Sequence, residues 1–330
     1  MFTAFCFFFL TVKMEKAENA TESKSLMAPS ESITWCVIFS LEALLAVTTN
    51  LVAIIVFLQN TWLRKRTSIL LLNLAVADLL IGLLAVPGWV YVIGAAANLW
   101  RNAWTNVTME ILYSSLDIGG AFASVTNHGC IAVERLIATV MPFKYRSRKN
   151  KITAQFITVV WTCAVVIPAL TMVGFHVLSS KMFAFFVWMP FLVVLLLVIA
   201  ISYLILLCRV KVVSRDLRQE RDCQRNHRFS VTAFIVSVAS LIAWLPFMIM
   251  SAINLVTPIN QDLRRVNTVK MLHYLNSLCS ILVYWFRIPH FKDEACALVF
   301  CHKRRRQLPQ GAAAARSSSN IRIAAVSSSL

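Results

Sequence analysis

The chain has 330 residues, of which 58% are hydrophobic and only 14% charged, and its mean hydropathy is +0.70. Soluble domains carry about a quarter charged residues, so this composition excludes an ordinary water-soluble globule. A net charge of +17 would suit nucleic acid, but the basic residues gather between apolar spans, where anionic membrane lipid is the simpler partner, and no nucleic acid is expected.

Residues 1–12, "MFTAFCFFFLTV", have the apolar core of a signal peptide without its basic start or small-residue cleavage site. Met14 is an alternative start, and a cleaved signal, extra translated residues and a real exposed segment all stay open. Seven stretches then follow, each long enough for the roughly 20 residues a bilayer crossing needs: 33–58, 68–92, 107–133, 152–175, 182–208, 229–254 and 267–286. The loop after the fourth, 174–180, is very short. No internal repeat is visible, so the spans form one bundle over 33–288, after a segment 1–32 and before an amphipathic stretch 289–301 and a low-complexity, disordered tail 302–330.

Orientation follows from the cations. "RKR" at 64–66, "KYRSRKNK" at 144–151, the segment Arg209 to Arg228 and "KRRR" at 303–306 alternate with spans on one side, which holds about 24 of the 32 basic residues. The positive-inside rule places that side in the cytoplasm, the N-terminus outside, and the chain as a multi-pass plasma-membrane protein. Asn19 and Asn106 then lie in glycosylation sequons on the outer side, Asn19 being the better placed because Asn106 is close to the membrane. Nine cysteines offer no outer pair: five fall in or beside spans, Cys223, Cys296 and Cys301 are cytoplasmic, and only Cys6 is clearly outside. Cys301 and Cys296, beside basic residues just past the seventh span, are palmitoylation candidates.

Two carboxylates interrupt the spans. Asp78 lies in "LLLNLAVADLLIGLLAVPGW", where an Asp facing lipid costs about 2.5–3.5 kcal/mol, so it must face protein or a wet cavity. Asp117, in "SSLDIGGAFASV", lies eighteen residues before Arg135, which is five helical turns or about 27 Å toward the outer side on the same helix face.

The third span ends "SVTNHGCIAVERLIATV", with Glu134 and Arg135 at its cytoplasmic end. The sixth carries "AWLPF" around Trp244 and Pro246. The seventh reads "LNSLCSILVYWFRIPHFK", with Tyr284 seven residues before Phe291. In this order, over about 33–301, these features resemble the rhodopsin-like G-protein-coupled receptors. Asn50 matches the first-helix Asn and "NLAVADLL" the second-helix motif. "ERL" stands for Asp/Glu-Arg-Tyr, "AWLP" for Cys-Trp-x-Pro and "SILVY" for Asn-Pro-x-x-Tyr. The resemblance implies an all-α membrane protein, a seven-transmembrane helix bundle plus a short amphipathic eighth helix.

It also implies roles. Asp78 would share a polar sodium pocket with Asn50, Ser124, Asn276, Ser277, Ser280 and the Trp244 ring, Asp78 and Ser124 being the metal-facing oxygens; a hydrogen-bonded cluster without an ion is the other reading. No cofactor beyond that allosteric sodium ion is implied. Asp117 stands where amine receptors carry the carboxylate that pairs with the ligand ammonium, with Tyr274 bonding it and Trp188, Phe247 and Trp244 as aromatic walls. Alternatively Asp117 pairs internally with Lys270, about one turn outward of Tyr274, or with His273. Glu134, Arg135, Tyr203 and Tyr284 would serve coupling to a heterotrimeric G protein, while the serine-rich tail suits a receptor kinase and arrestin.

Departures from the pattern include Ser280 and Ile281 in place of Asn-Pro, Ser240 one turn before Trp244, a missing fifth-helix Pro and Glu110 in place of the third-helix disulfide Cys. Melanocortin receptors share the short loop, the absent bridge and the missing Pro. The expected ligand is a small biogenic-amine-like cation, with a peptide as the rival; Val187, Trp188 and Phe191 in place of serines argue against a catechol, and Tyr274 stands where an opsin needs Lys. Scattered histidines and the absence of paired carboxylates, a nucleophile elbow or a phosphate loop exclude an enzyme. A transporter or channel is the distant alternative.

Overall fold

A computed structural model describes residues 27–59, 69–100, 107–216, 238, 242–253, 263–287 and 291–299, and no strand occurs among them. Eight helices carry the described chain: α1 Pro29–Gln59, α2 Ile69–Ala96, α3 Val107–Val140, α4 Pro142–Val177, α5 Lys181–Asp216, α6 Ile242–Ile253, α7 Leu263–Arg287 and α8 Phe291–Val299. By length and apolarity alone, α1, α2, α4 and α5 qualify as membrane spans. Helices α3 and α7 are also long, but more polar, burying Glu110, Asp117, His128 and Glu134 on α3 and Asn267, Lys270 and His273 on α7. Polar atoms in a bilayer protein belong inside the bundle.

The central element is α3, buried almost without interruption from Asp117 to Glu134. It packs against α2, α4 and α5, while α1 packs on α2 and α7. Aromatic rings close the circle: Phe122 of α3 meets Trp244 of α6 at 6.2 Å, Trp188 of α5 meets Phe247 of α6 at 5.2 Å, and Trp244 meets His273 of α7 at 4.5 Å. The outer faces expose Leu41, Leu44, Val165, Leu197 and Leu204, which in water would be an aggregation surface and in lipid is matched solvent. At Gly119 an added Cβ would lie 2.7 Å from the Ala164 carbonyl oxygen, so the glycine lets α3 and α4 approach backbone to backbone.

Two π-helical turns adjust the spans. The one at Ile81–Ala85 precedes Pro87, whose missing N–H and bulky ring would otherwise disrupt the α-helical ladder. The second, Val173–Val177, extends α4, so the loop expected over 174–180 shrinks to 178–180. There Ser179 adopts φ 48°, and the Phe183 N–H donates to Ser180 Oγ at 3.2 Å to cap α5. Other helices also overrun their apolar segments. Helix α3 continues to Val140 rather than 133, and α4 starts at Pro142 rather than 152, so the basic stretch 144–151 is helix and not loop, with Pro142 in the first turn where its lost N–H costs nothing. Helix α5 passes straight through Pro190.

The chain divides into two compact units, Met1–Lys292 and Asp293–Leu330. In the first, Phe291 is fully buried with its ring 5.8 Å from that of Phe57, which anchors the start of α8. The described part of the second is the remainder of α8.

Candidate functional site

Three polar clusters lie along α3. The outermost surrounds Asp117, which is 6% exposed. Its Oδ2 accepts from the Lys270 ammonium at 2.6 Å and its Oδ1 from the Tyr274 hydroxyl at 2.8 Å. Lys270 Nζ also reaches Tyr274 Oη at 3.0 Å and Tyr113 Oη at 3.5 Å, and lies 4.5 Å from the centre of the Trp89 ring. A buried charge is tolerable only when so compensated. Of the two internal partners open to Asp117, the structure chooses Lys270: the His273 ring packs on Trp244, and its Nδ1 makes no hydrogen bond. The rings against the cation are Trp89, Tyr113 and Tyr274. Trp188 and Phe247, expected as walls for a ligand ammonium, pack on each other and, through Phe247, on Trp244.

The second cluster centres on Asp78, which is fully buried and accepts from Ser124 Oγ at 2.9 Å. Asn50 donates to the Ala46 carbonyl at 2.9 Å and toward that of Ser277 at 3.4 Å, which ties α1 to α7. The Ser277 and Ser280 hydroxyls also stand beside the Asp78 carboxylate, and Asn50 Oδ1 is buried without a hydrogen-bond partner. Asn276 is buried nearby on α7. Several buried oxygens gathered at one carboxylate fit a hard monovalent cation such as sodium. No cluster of three or more His, Cys, Asp or Glu side chains suited to a transition metal occurs among the described residues.

The third cluster closes the basic end. Glu134 is fully buried; its Oε1 accepts from the Tyr145 hydroxyl at 2.8 Å and its Oε2 lies 3.5 Å from Arg135 Nη2. Tyr203 is buried in a small apolar group with Ala132, Ile199 and Leu206. Between the second and third clusters, Trp161 donates to Asn73 at 3.0 Å and Asn73 to Asn127 at 2.9 Å, which locks α4, α2 and α3 together.

The family model described as "7 transmembrane receptor (rhodopsin family)" matches residues 49–285. The chain belongs to that family, the rhodopsin-like G-protein-coupled receptors. It is 24% identical over 300 residues to somatostatin receptor type 1 of Mus musculus, covering 84% of this chain and 75% of that one. A G0-coupled rhodopsin of Mizuhopecten yessoensis is 26% identical over 267 residues, 71% of this chain and 64% of its own. Trace amine-associated receptor 7d of Rattus norvegicus is 24% identical over 316 residues, 86% and 87% of the two chains. As a member of this family the protein is a seven-helix membrane receptor and not an enzyme.

In this receptor the geometry adds residues that hydropathy and motif reading pass over. Trp89 and Tyr113 enclose Lys270, Asn267 binds Trp89, and Tyr145 holds Glu134. Glu42 on α1 is a further buried carboxylate, 5% exposed with neither oxygen hydrogen-bonded. Among the candidate residues, Asn19, Asn106 and Cys301 lie outside the described residues, as do Ser240 and Asn226; Tyr284 lies on α7 without a described side chain, and Cys296 is half-buried on α8.

Proposed function

We propose that this receptor sits in the plasma membrane with its N-terminus outside, binds an extracellular ligand bearing an ammonium group at Asp117 and Tyr274, and activates a heterotrimeric G protein. The observation that carries the reading is the 2.6 Å contact of Lys270 Nζ with Asp117. The carboxylate, a tyrosine hydroxyl and a Trp face already form an ammonium site, which a ligand cation can enter by displacing the lysine. Names of relatives include both trace-amine and somatostatin receptors, so a peptide presenting a basic group is the second reading.

Displacement would untie α3 from α7 and disturb the His273–Trp244–Phe122 stack. An outward swing of α6 would then open the basic end to the G-protein α subunit. Arg135, leaving Glu134, would contact that subunit, with Tyr203 and Tyr284 moving to support it. The Asp78 pocket would hold sodium in the inactive bundle, where the ion supplies charge compensation; Asp78, Asn50, Ser277 and Ser280 would present oxygens to it. Asn19 would carry glycan, Cys296 and Cys301 palmitate, and the tail serines would recruit a receptor kinase and arrestin.

The test is a panel of amines and peptides on cells carrying a promiscuous G protein, with wild type and Asp117→Ala. Agonism by an amine that vanishes in the variant supports the reading. Agonism by a neutral ligand, unchanged in the variant, refutes it.

A further inference from the structure

Lys270 is 1% exposed and its charge is balanced by Asp117. A ligand offering only an ammonium would take Asp117 at the expense of the carboxylate's ion pair with Lys270, a costly loss for a buried cation. A ligand that also brings an anion leaves the site neutral.

A second observation indicates where that anion would go. Asn267 lies on α7 one turn outward of Lys270 and is fully buried. The Trp89 indole N–H, which can only donate, meets Asn267 Oδ1 at 3.2 Å. That contact fixes the amide so that its NH2 group points away from the indole, and Nδ2 has no acceptor. The same indole carries Lys270 Nζ 4.5 Å above its ring. One tryptophan therefore contacts two α7 side chains a turn apart, Asn267 with its unused buried amide donor and the Lys270 ammonium that faces Asp117 of α3. Donors grouped in this way recognise a carboxylate or similar oxyanion.

We infer that the ligand is zwitterionic, an amino-acid-like molecule whose ammonium takes Asp117 and Tyr274 while its anionic group takes Lys270 and Asn267. The inference rests on the proposed ammonium site at Asp117. Binding would insert the ligand between the two halves of the existing ion pair and exchange one internal pair for two intermolecular ones.

Matched probes separate the inference from the reading beneath it. Phenylalanine with phenethylamine, and 4-aminobutyrate with butylamine, differ within each pair only by a carboxylate. Binding to the purified full-length receptor in nanodiscs is read by the shift of its melting temperature. In at least one pair the zwitterion should bind at least tenfold tighter than the amine. Asn267→Asp keeps the acceptor for Trp89 but replaces the donor with a negative charge, so it should erase that preference; Lys270→Met, as a second variant, should favour the plain amine. An amine that binds as well as its amino acid in wild type, with the ratio unmoved by both variants, overturns the inference and leaves the ammonium reading standing. If neither member of either pair binds, or Asp117→Asn alters no binding, both fall.

Discussion

Lys270 Nζ and Asp117 Oδ2, 153 positions apart in the chain, meet at 2.6 Å and join α7 to α3 through a contact that water barely reaches. Removing one partner of such a pair leaves an uncompensated buried charge, which costs about 3–5 kcal/mol, whereas removing both is often close to neutral. Lys270→Met and Asp117→Asn should each lower the melting temperature of the unliganded receptor, and the double variant should lose less than the sum of the two. Strict additivity in thermal denaturation would mean that the pair contributes no coupling.

Gly119 faces the Ala164 carbonyl so closely that a Cβ there would sit 2.7 Å from backbone oxygen. Backbone cannot rotate away as a side chain can. Gly119→Val should therefore separate α3 from α4 and destabilise the bundle by about 1–3 kcal/mol, visible as poor surface expression. Normal expression and melting temperature would show that the two helices are not held at this point.

Sodium bound only to the inactive bundle must lower agonist affinity by linkage. With the hydroxyls of Ser124, Ser277 and Ser280 gathered at the Asp78 carboxylate, Asp78→Asn should abolish the salt effect. The control is a bulky organic cation; if it acts as sodium does, in both forms, Asp78 is a structural residue only.

The basic end bears on resting activity. The family resemblance implies an acid on the sixth helix that pairs with the third-helix Arg, and the aligned sequence position is Asn226, between Arg225 and Arg228. One such pair is worth about 1 kcal/mol in a partly wet site, which changes a minor active population about fivefold. Ligand-free signalling should be detectable and should fall in Asn226→Glu. A silent unliganded receptor, present at the surface and responsive to agonist, would refute this.

The inward-facing carboxylates were legible in the sequence because intramembrane carboxylates are costly: Asp78 on α2 and Asp117 on α3 are both buried. The contact of Asp117 with Lys270 was legible as one of several options, since spacing places Lys270 a turn from Tyr274 but cannot choose among cations. Helix ends were not, because hydropathy marks the membrane-immersed part only, and α4 winds on through Lys144 and Arg146 into water. Nor was the role of Trp89. The π turn at Ile81–Ala85 inserts an extra residue upstream of it, rotating the rest of α2 by about 100° relative to an unbroken α-helix. Tyr145 was hidden for the first of these reasons, being read as loop when it is in fact in the first turn of α4, bonded to Glu134.

Arg135 meets Glu134 at 3.5 Å at the basic end, remote from the Asp117 site, and the account gives it to the G protein rather than to the ligand. The most direct measurement is guanine-nucleotide exchange on purified heterotrimeric G proteins, driven by the receptor in nanodiscs, for wild type and for Arg135→Ala at equal amounts of folded protein. Wild type should accelerate exchange, and the variant should lose most of that acceleration, at least tenfold, while keeping its melting temperature. Undiminished exchange by Arg135→Ala would contradict the account.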